Sequence, residues 1–201
     1  MRRLGTAGVL ALVLALPARG EVALLTQPIL DTLTTIDALP STEQLDTAHG
    51  GSRAAALANL TLIAVGEGAA VDPGVRVRAV RVLAPYCGLP PCDPDSPAHV
   101  TLVTIATTPR YRDARAGSDL VILRAALGAL GQQRVAAAAP LVIPLLEHPN
   151  RDIRAAAALA LRDLGSLLAV APLRARYQQE QVPQVRLAIS AALRALGQPP
   201  P

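Results

Sequence analysis

Ile153-Arg154-Ala155-Ala156-Ala157-Ala158-Leu159-Ala160-Leu161-Arg162-Asp163-Leu164-Gly165 is the stretch that decides the architecture. Ile153, Ala156, Ala157, Ala160, Leu161 and Leu164 fall at i, i+3, i+4, i+7, i+8 and i+11, one apolar stripe on a helix. Gly165 follows, where a residue free to take positive φ ends the helix. The pattern returns 32 residues later as Val185, Ala188, Ile189, Ala192, Leu193 and Leu196, closed by Gly197. The segments before the two stretches agree at the same offset, Ala139-Pro140-Leu141 with Ala171-Pro172-Leu173. Upstream, Ile122-Leu123, Ala126-Leu127 and Leu130-Gly131 match at an offset of 34. Further up, Asp72-Pro73-Gly74-Val75-Arg76 parallels Asn150-Arg151-Asp152-Ile153-Arg154, with Leu83 and Cys87 in the places of Leu161 and Gly165. Asp72 and Asn150 suit N-caps. Pro140 and Pro172 suit the first turns of shorter alternating helices, and Pro144, deeper, predicts a bend. A period of this length marks helical units that each bury a face on the next.

Composition agrees. Of 201 residues 51% are hydrophobic and 17% charged, which excludes disorder as the main state. The 14 glycines show no period of three, which excludes collagen. With no Phe, no Trp and only 3 Tyr, packing falls to Ala, Leu, Val and Ile. Such small side chains suit helices lying close together better than strands. The fold class is all-α.

The pattern D-P-x-V-R-x-x-A-x-x-x-L-x-x-L-G, followed by A-x-P-L-x-x-L, resembles the HEAT repeat, in particular the short PBS-lyase HEAT-like form. The resemblance is good over 119–197 and looser over 72–107. It implies an α-solenoid, a right-handed superhelix of about three to four helix pairs, with a protein partner held on a concave face lined by the second helices. The organisation expected is a signal peptide at 1–20, an N-terminal helical cap at 21–71, repeats at 72–197 and a disordered tail at 198–201. Within the cap, helices are expected near Pro28–Leu39 and Ser52–Gly66. A cysteine loop at 87–97 is read as an insertion between two helices of one unit, and Thr107–Ser118 as a second long loop. HEAT-type iron hydroxylases use His-Glu dipeptides in several repeats. Here Glu147-His148 stands alone and in reversed order, so that chemistry does not carry over.

Met1–Gly20 has the three parts of a secretory leader: Arg2 and Arg3, an apolar run from Ala7 to Leu16, and Ala18-Arg19-Gly20 before a cut ahead of Glu21. The run is too short to span a bilayer, which takes roughly 20 residues; the competing readings are an uncleaved anchor and a core helix. No stable membrane insertion is expected after cleavage, and the compartment is periplasmic or extracellular. All 19 basic residues are Arg, and three of them, Arg2, Arg3 and Arg19, lie in the leader with none of the 15 acids. Removing it leaves 16 basic against 15 acidic residues, a net charge of +1, which gives no footprint for nucleic acid. Cys87 and Cys92, close together in a Pro-rich loop, read most simply as a disulfide. Free thiols and a metal site with His99 are the alternatives, the latter lacking a fourth ligand at a recognised spacing.

Arg76, Arg154 and Arg186 recur near helix N-termini, where a cation opposes the helix dipole. A structural ladder to an acid or carbonyl of the adjacent unit explains them, with Asp119, Asp152 and Asp163 as available acids; an anion-binding row is the alternative. Arg174, Arg176 and Tyr177 are candidate partner-binding residues, since Tyr and Arg are enriched at hot spots; packing is the simpler account of Tyr177. Thr101, Thr104, Thr107 and Thr108 are a candidate polar face. His49 and His99 are isolated, and His99 reads as a solvent-facing first-turn residue. No nucleophile elbow, dinucleotide fingerprint or P-loop occurs, so no catalytic residue, metal or cofactor is assigned. The reading is a non-enzymatic scaffold of the bacterial cell envelope. Its rivals are a HEAT-type enzyme or enzyme accessory and a self-associating structural protein. Intact mass of the exported protein, alkylated with and without reductant, is expected to show a chain starting at Glu21 with one disulfide; free thiols without reductant would remove the Cys87–Cys92 pairing.

Overall fold

This computed structural model describes residues 27–34, 38–66 and 71–199. The leader read at 1–20 lies outside them, as do positions 200 and 201 of the tail. Every element among the described residues is helical: α1 (Gln27–Thr34), α2 (Thr42–Ala48), α3 (Arg53–Val65), α4 (Pro73–Tyr86), α5 (Pro97–Thr107), α6 (Pro109–Arg112), α7 (Gly117–Gln133), α8 (Ala139–Val142), α9 (Arg151–Leu164), α10 (Val170–Gln179) and α11 (Pro183–Ala195). Short 3-10 turns at Ala136–Ala138, Ile143–Glu147 and Leu167–Ala169 flank α8 and α10. Pro144 lies in the second of these, so the helix that Pro140 opens stays α-helical for only four residues.

The long helices α4, α7, α9 and α11 pack side by side in one row, and α3, α5, α8 and α10 form the other. The repeated stripe builds the first row. Val75, Ala79, Leu83 and Tyr86 in α4 take the same buried places as Ile122, Ala126, Leu130 and Gln133 in α7. Ile153, Ala157, Leu161 and Leu164 do so in α9, and Val185, Ile189 and Leu193 in α11, with Leu196 just past its end. The caps repeat as well: Asp72 Oδ1 accepts from the N–H of Gly74 and Val75 at 2.7 and 3.4 Å. Asn150 Oδ1 accepts from those of Asp152 and Ile153 at 2.8 and 3.4 Å.

Two expectations are corrected. The match of α7 to α9 runs at an offset of 31 (Ile122 with Ile153) rather than 34, so Gly131 is not the counterpart of Gly165 and lies inside its helix. α7 runs on to Gln133, and Arg134 takes the left-handed position at φ 55°. Gly131 instead faces α9, where an added Cβ would lie 3.3 Å from Ala160 Cα and 3.2 Å from Asp163 Cβ. The two backbones therefore meet without an intervening side chain, the close limit of helix packing. The unit is also phased differently. Each pair is a shorter helix followed by a long one: α3 with α4, α5 with α7, α8 and its turns with α9, and α10 with α11. The sequence reading began each unit on the long helix, which left α3 and α11 without partners. In the observed phase the cysteine loop joins two pairs rather than interrupting one.

The cap also differs. The first helix is described over Gln27–Thr34 and Leu39 is not helical, and α2 is an additional element that packs on α3. Its signature is the capping box Ser41-Thr42-Glu43-Gln44, in which Ser41 Oγ and Gln44 Oε1 each accept the other residue's N–H.

Gly131→Leu is expected to force α7 from α9 at a cost of roughly 1–3 kcal/mol, lowering the melting temperature by about 3–10 °C. Gly128→Leu three residues earlier, where an added Cβ meets nothing within 4 Å, is expected to be neutral or stabilising, because Leu is the better helix former. Thermal melts of both variants check the pair.

Candidate functional site

The three repeated arginines occupy one kind of place. Arg76 is 7% exposed and Arg154 8%, so neither is offered to an external anion. Each reaches from the first turn of a long helix back to carbonyls at the end of the short helix, or just past the 3-10 turn, that precedes it. Arg76 donates to the carbonyls of Ile63 and Ala64 at 3.4 and 3.2 Å, closing α3. Arg154 Nη1 donates to those of His148 and Pro149 at 3.0 Å each. Arg186 donates to those of Tyr177 and Glu180 at 3.2 and 3.1 Å, its guanidinium 4.0 Å from the Tyr177 ring centroid. The cation that opposes the dipole of its own helix meets the negative end of the antiparallel neighbour. Gly66 makes room for the first of these contacts: it has φ 76°, and a Cβ there would fall 2.6 Å from Arg76 Nη2.

The acids anticipated for this ladder are engaged elsewhere, Asp119 with Arg110, Asp152 with Arg151 and Asp163 with Arg162. The acid that meets a repeated arginine is Glu180. Its oxygens accept from Arg154 Nε and Nη2 at 2.7 and 2.9 Å, and its side chain is 1% exposed. It also accepts from Arg176 and from the N–H groups of Gln181 and Val182, which open α11. The Arg154 guanidinium, reinforced by these other donors, holds its carboxyl at about 2.

Arg176 and Tyr177, expected at a partner surface, are thereby drawn into the protein. Arg176 bridges Glu180 and Glu147, tying the fourth pair to the third, and Tyr177 lies under Arg186. Arg174 is exposed and donates to Gln198. The threonine hydroxyls turn back on their own helix: Thr101, Thr104, Thr107 and Thr108 donate to carbonyls four residues earlier.

The cysteine loop carries a disulfide between Cys87 and Cys92. It docks on the end of α7 through Cys92 N–H to the Gln133 carbonyl at 2.9 Å. His99, expected to face solvent, is 4% exposed, and its Nδ1 lies 2.7 Å from Gln133 Oε1. Tyr111 in the expected long loop was missed. It is buried on α6, donates to the Val65 carbonyl at 2.7 Å and accepts from Arg76 at 2.7 Å. His148 is buried, which pushes its imidazole below the ordinary range, and its Nδ1 accepts from Asn150 N–H. Among the described residues no group of three or more His, Cys, Asp or Glu is placed to hold a metal ion, and no helix is long and apolar enough to cross a membrane.

Two open grooves lie among the described residues. One, of about 250 Å³, runs along α4 and α7 and is lined by Leu39, Arg81, Val121, Arg124, Gly128 and Gln132 among others. The other, of about 260 Å³, lies between α5 and α8, with Pro94, Val100, Val103 and Leu141 in its wall. Paired helices in a continuous stack define an α-solenoid. Residues 112–194 match the family of HEAT repeats, so this part of the chain is built of HEAT-type repeats. HEAT repeats commonly mediate protein binding and are generally not enzymes. No curated protein matches the chain.

Glu180→Gln leaves two guanidiniums without their carboxylate and is expected to lower stability near pH 7 by roughly 3 kcal/mol. The native carboxyl lies below its unfolded value of 4.5, so its contribution is complete above that pH and disappears as pH falls toward 2. Denaturant titrations at about pH 7, 4 and 2.5 are expected to show the gap between variant and parent closing with acid; an undiminished gap at the lowest pH would contradict the assignment.

Proposed function

We propose that the chain is an exported, non-enzymatic interaction scaffold of a bacterial cell envelope whose protein partner docks on the long-helix row. The observation that carries this is a set of exposed apolar side chains on one face of successive helices: Val121 on α7, Leu159 on α9 and Leu187 on α11, exposed by 44, 36 and 70%. They sit on one stack and so present fixed spacing to a partner. The short-helix row also exposes apolar side chains, Val100, Leu141, Leu167 and Leu168, but it is broken by 3-10 turns and Pro144.

Spacing also argues for this row as the concave side. α7 and α9 approach to backbone contact at Gly131 and Ala160. In a curved stack the inner row is the one with closer axes. This moves the proposed docking face from the second helices of the sequence reading to the repeated Arg-bearing ones. Export is supported by the leader pattern and by the Cys87–Cys92 bond, since disulfides persist in oxidising compartments. The near-neutral charge of the chain without its leader supports a protein partner over nucleic acid.

A photoactivatable residue replacing Leu159 or Leu187 in the exported protein is expected to give a discrete heteromeric adduct, and one replacing Leu141 on the other row none. Adducts from Leu141 alone would move the site to the short helices. Adducts of twice the chain mass only would identify self-association instead.

A further inference from the structure

We propose that one end of the long-helix face is a carboxylate clamp, in which Arg81 on α4 and Arg124 on α7 bind a partner segment carrying two acidic side chains. The proposal deepens the docking-face reading above and rests on it for location.

The two arginines differ from most others in the stack. Arg110, Arg162, Arg174 and Arg176 each meet an internal acceptor. Arg81 and Arg124 are exposed, line one groove of about 250 Å³, and have no hydrogen-bond or ion-pair partner among the described residues. No acid is among the groove's described lining residues. Two like charges facing one cleft, without a counter-charge among those residues, favour an anion.

The register keeps the cleft open. The buried pattern places Gly128 of α7 opposite Arg81, and an added Cβ there meets nothing within 4 Å. Arg124 stands one turn earlier. With neighbouring axes roughly 8–10 Å apart and a turn of about 5.4 Å, the two side chains start roughly 10–11 Å apart. Leaning inward, they match acidic side chains two residues apart in an extended segment, about 7 Å. Leu39 and Val121, each 44% exposed, add apolar wall for the residue between or beside them. The clefted pair and its apolar wall suit a peptide. A phosphate polymer would call for a longer basic stripe, and the chain without its leader has a net charge of only +1.

The test uses the folded full chain and a fluorescein-labelled peptide with a Glu-Ala-Glu-Leu core between Gly-Ser flanks, read by fluorescence anisotropy at low and high salt. Its Gln-Ala-Gln-Leu analogue and a labelled oligothymidine are the comparison probes. The acidic peptide is expected to bind, to weaken with salt, and to lose about fivefold in affinity with Arg81→Gln or Arg124→Gln and more than about tenfold with both. Arg194→Gln, an exposed arginine on α11, is expected to leave binding unchanged, and melting curves confirm that all variants fold. Absence of binding, equal binding of the glutamine analogue, or unchanged affinity in the double variant would overturn the clamp. Tighter, competing binding of oligothymidine would replace it with a phosphate site. Partner adducts at Leu159 and Leu187 that persist when the clamp fails leave the docking face standing; their absence while the clamp binds removes the face alone.

Discussion

A guanidinium laid across the end of an antiparallel neighbour is the contact on which the stacking depends. A helix terminates with carbonyls that nothing in the helix can satisfy, and burying them without donors costs more than most packing contacts return. In this chain the donor comes from the next helix. Arg76, Arg154 and Arg186 each fill that role from the first turn of a long helix. Arginine suits it because one planar fork addresses several acceptors while its stem packs along apolar surface. The same side chain therefore fixes the angle between two helices and seals the joint between them.

The α5–α7 pair shows what happens without it. Leu123 stands where α9 has Arg154, fully buried. Here the chain inserts α6 between the helices, and Arg110 closes on Asp119 at the start of α7 with contacts of 2.9 and 3.2 Å. Tyr111 reaches back from the same insertion to Arg76 and to the Val65 carbonyl. The insertion thus serves two pairs at once. Gln133 does similar work at the other end of α7, taking the buried place of Leu164 and meeting both His99 and the cysteine loop.

The periodicity of the second half was readable because stripe, cap and closing glycine all repeat in α9 and α11. The family match over 112–194 covers that same half. The phase of the unit was not readable, because a strict repeat looks alike from any starting point; only the arginine contacts show which helices are partners. The offset of 34, which set Gly131 against Gly165, misled for a physical reason. Glycine marks a helix end through backbone freedom and a close approach through its missing side chain, and sequence alone does not separate the two uses. α2 was legible from its capping box and was passed over. Tyr111 was not legible, since nothing in TTPRYRDARAGS signals that one ring turns inward.

The same ambiguity governs the functional residues. Every basic residue of the chain is arginine, so residue type carries no information about which charges are structural. Arg176 and Tyr177 had the composition of a hot spot, yet they lie where a short helix ends, and the fold needs donors and packing there. Position relative to the two rows is the better discriminator. Arginines near the ends of short helices are drawn to carbonyls and to Glu180. On the outward face of the long row Arg78 donates to the Ala38 carbonyl, whereas Arg81 and Arg124, both in mid-helix, have no partner among the described residues and are the charges proposed to meet something outside the chain. In a solenoid built this way, the charges available for recognition are those that the joints between helices do not use.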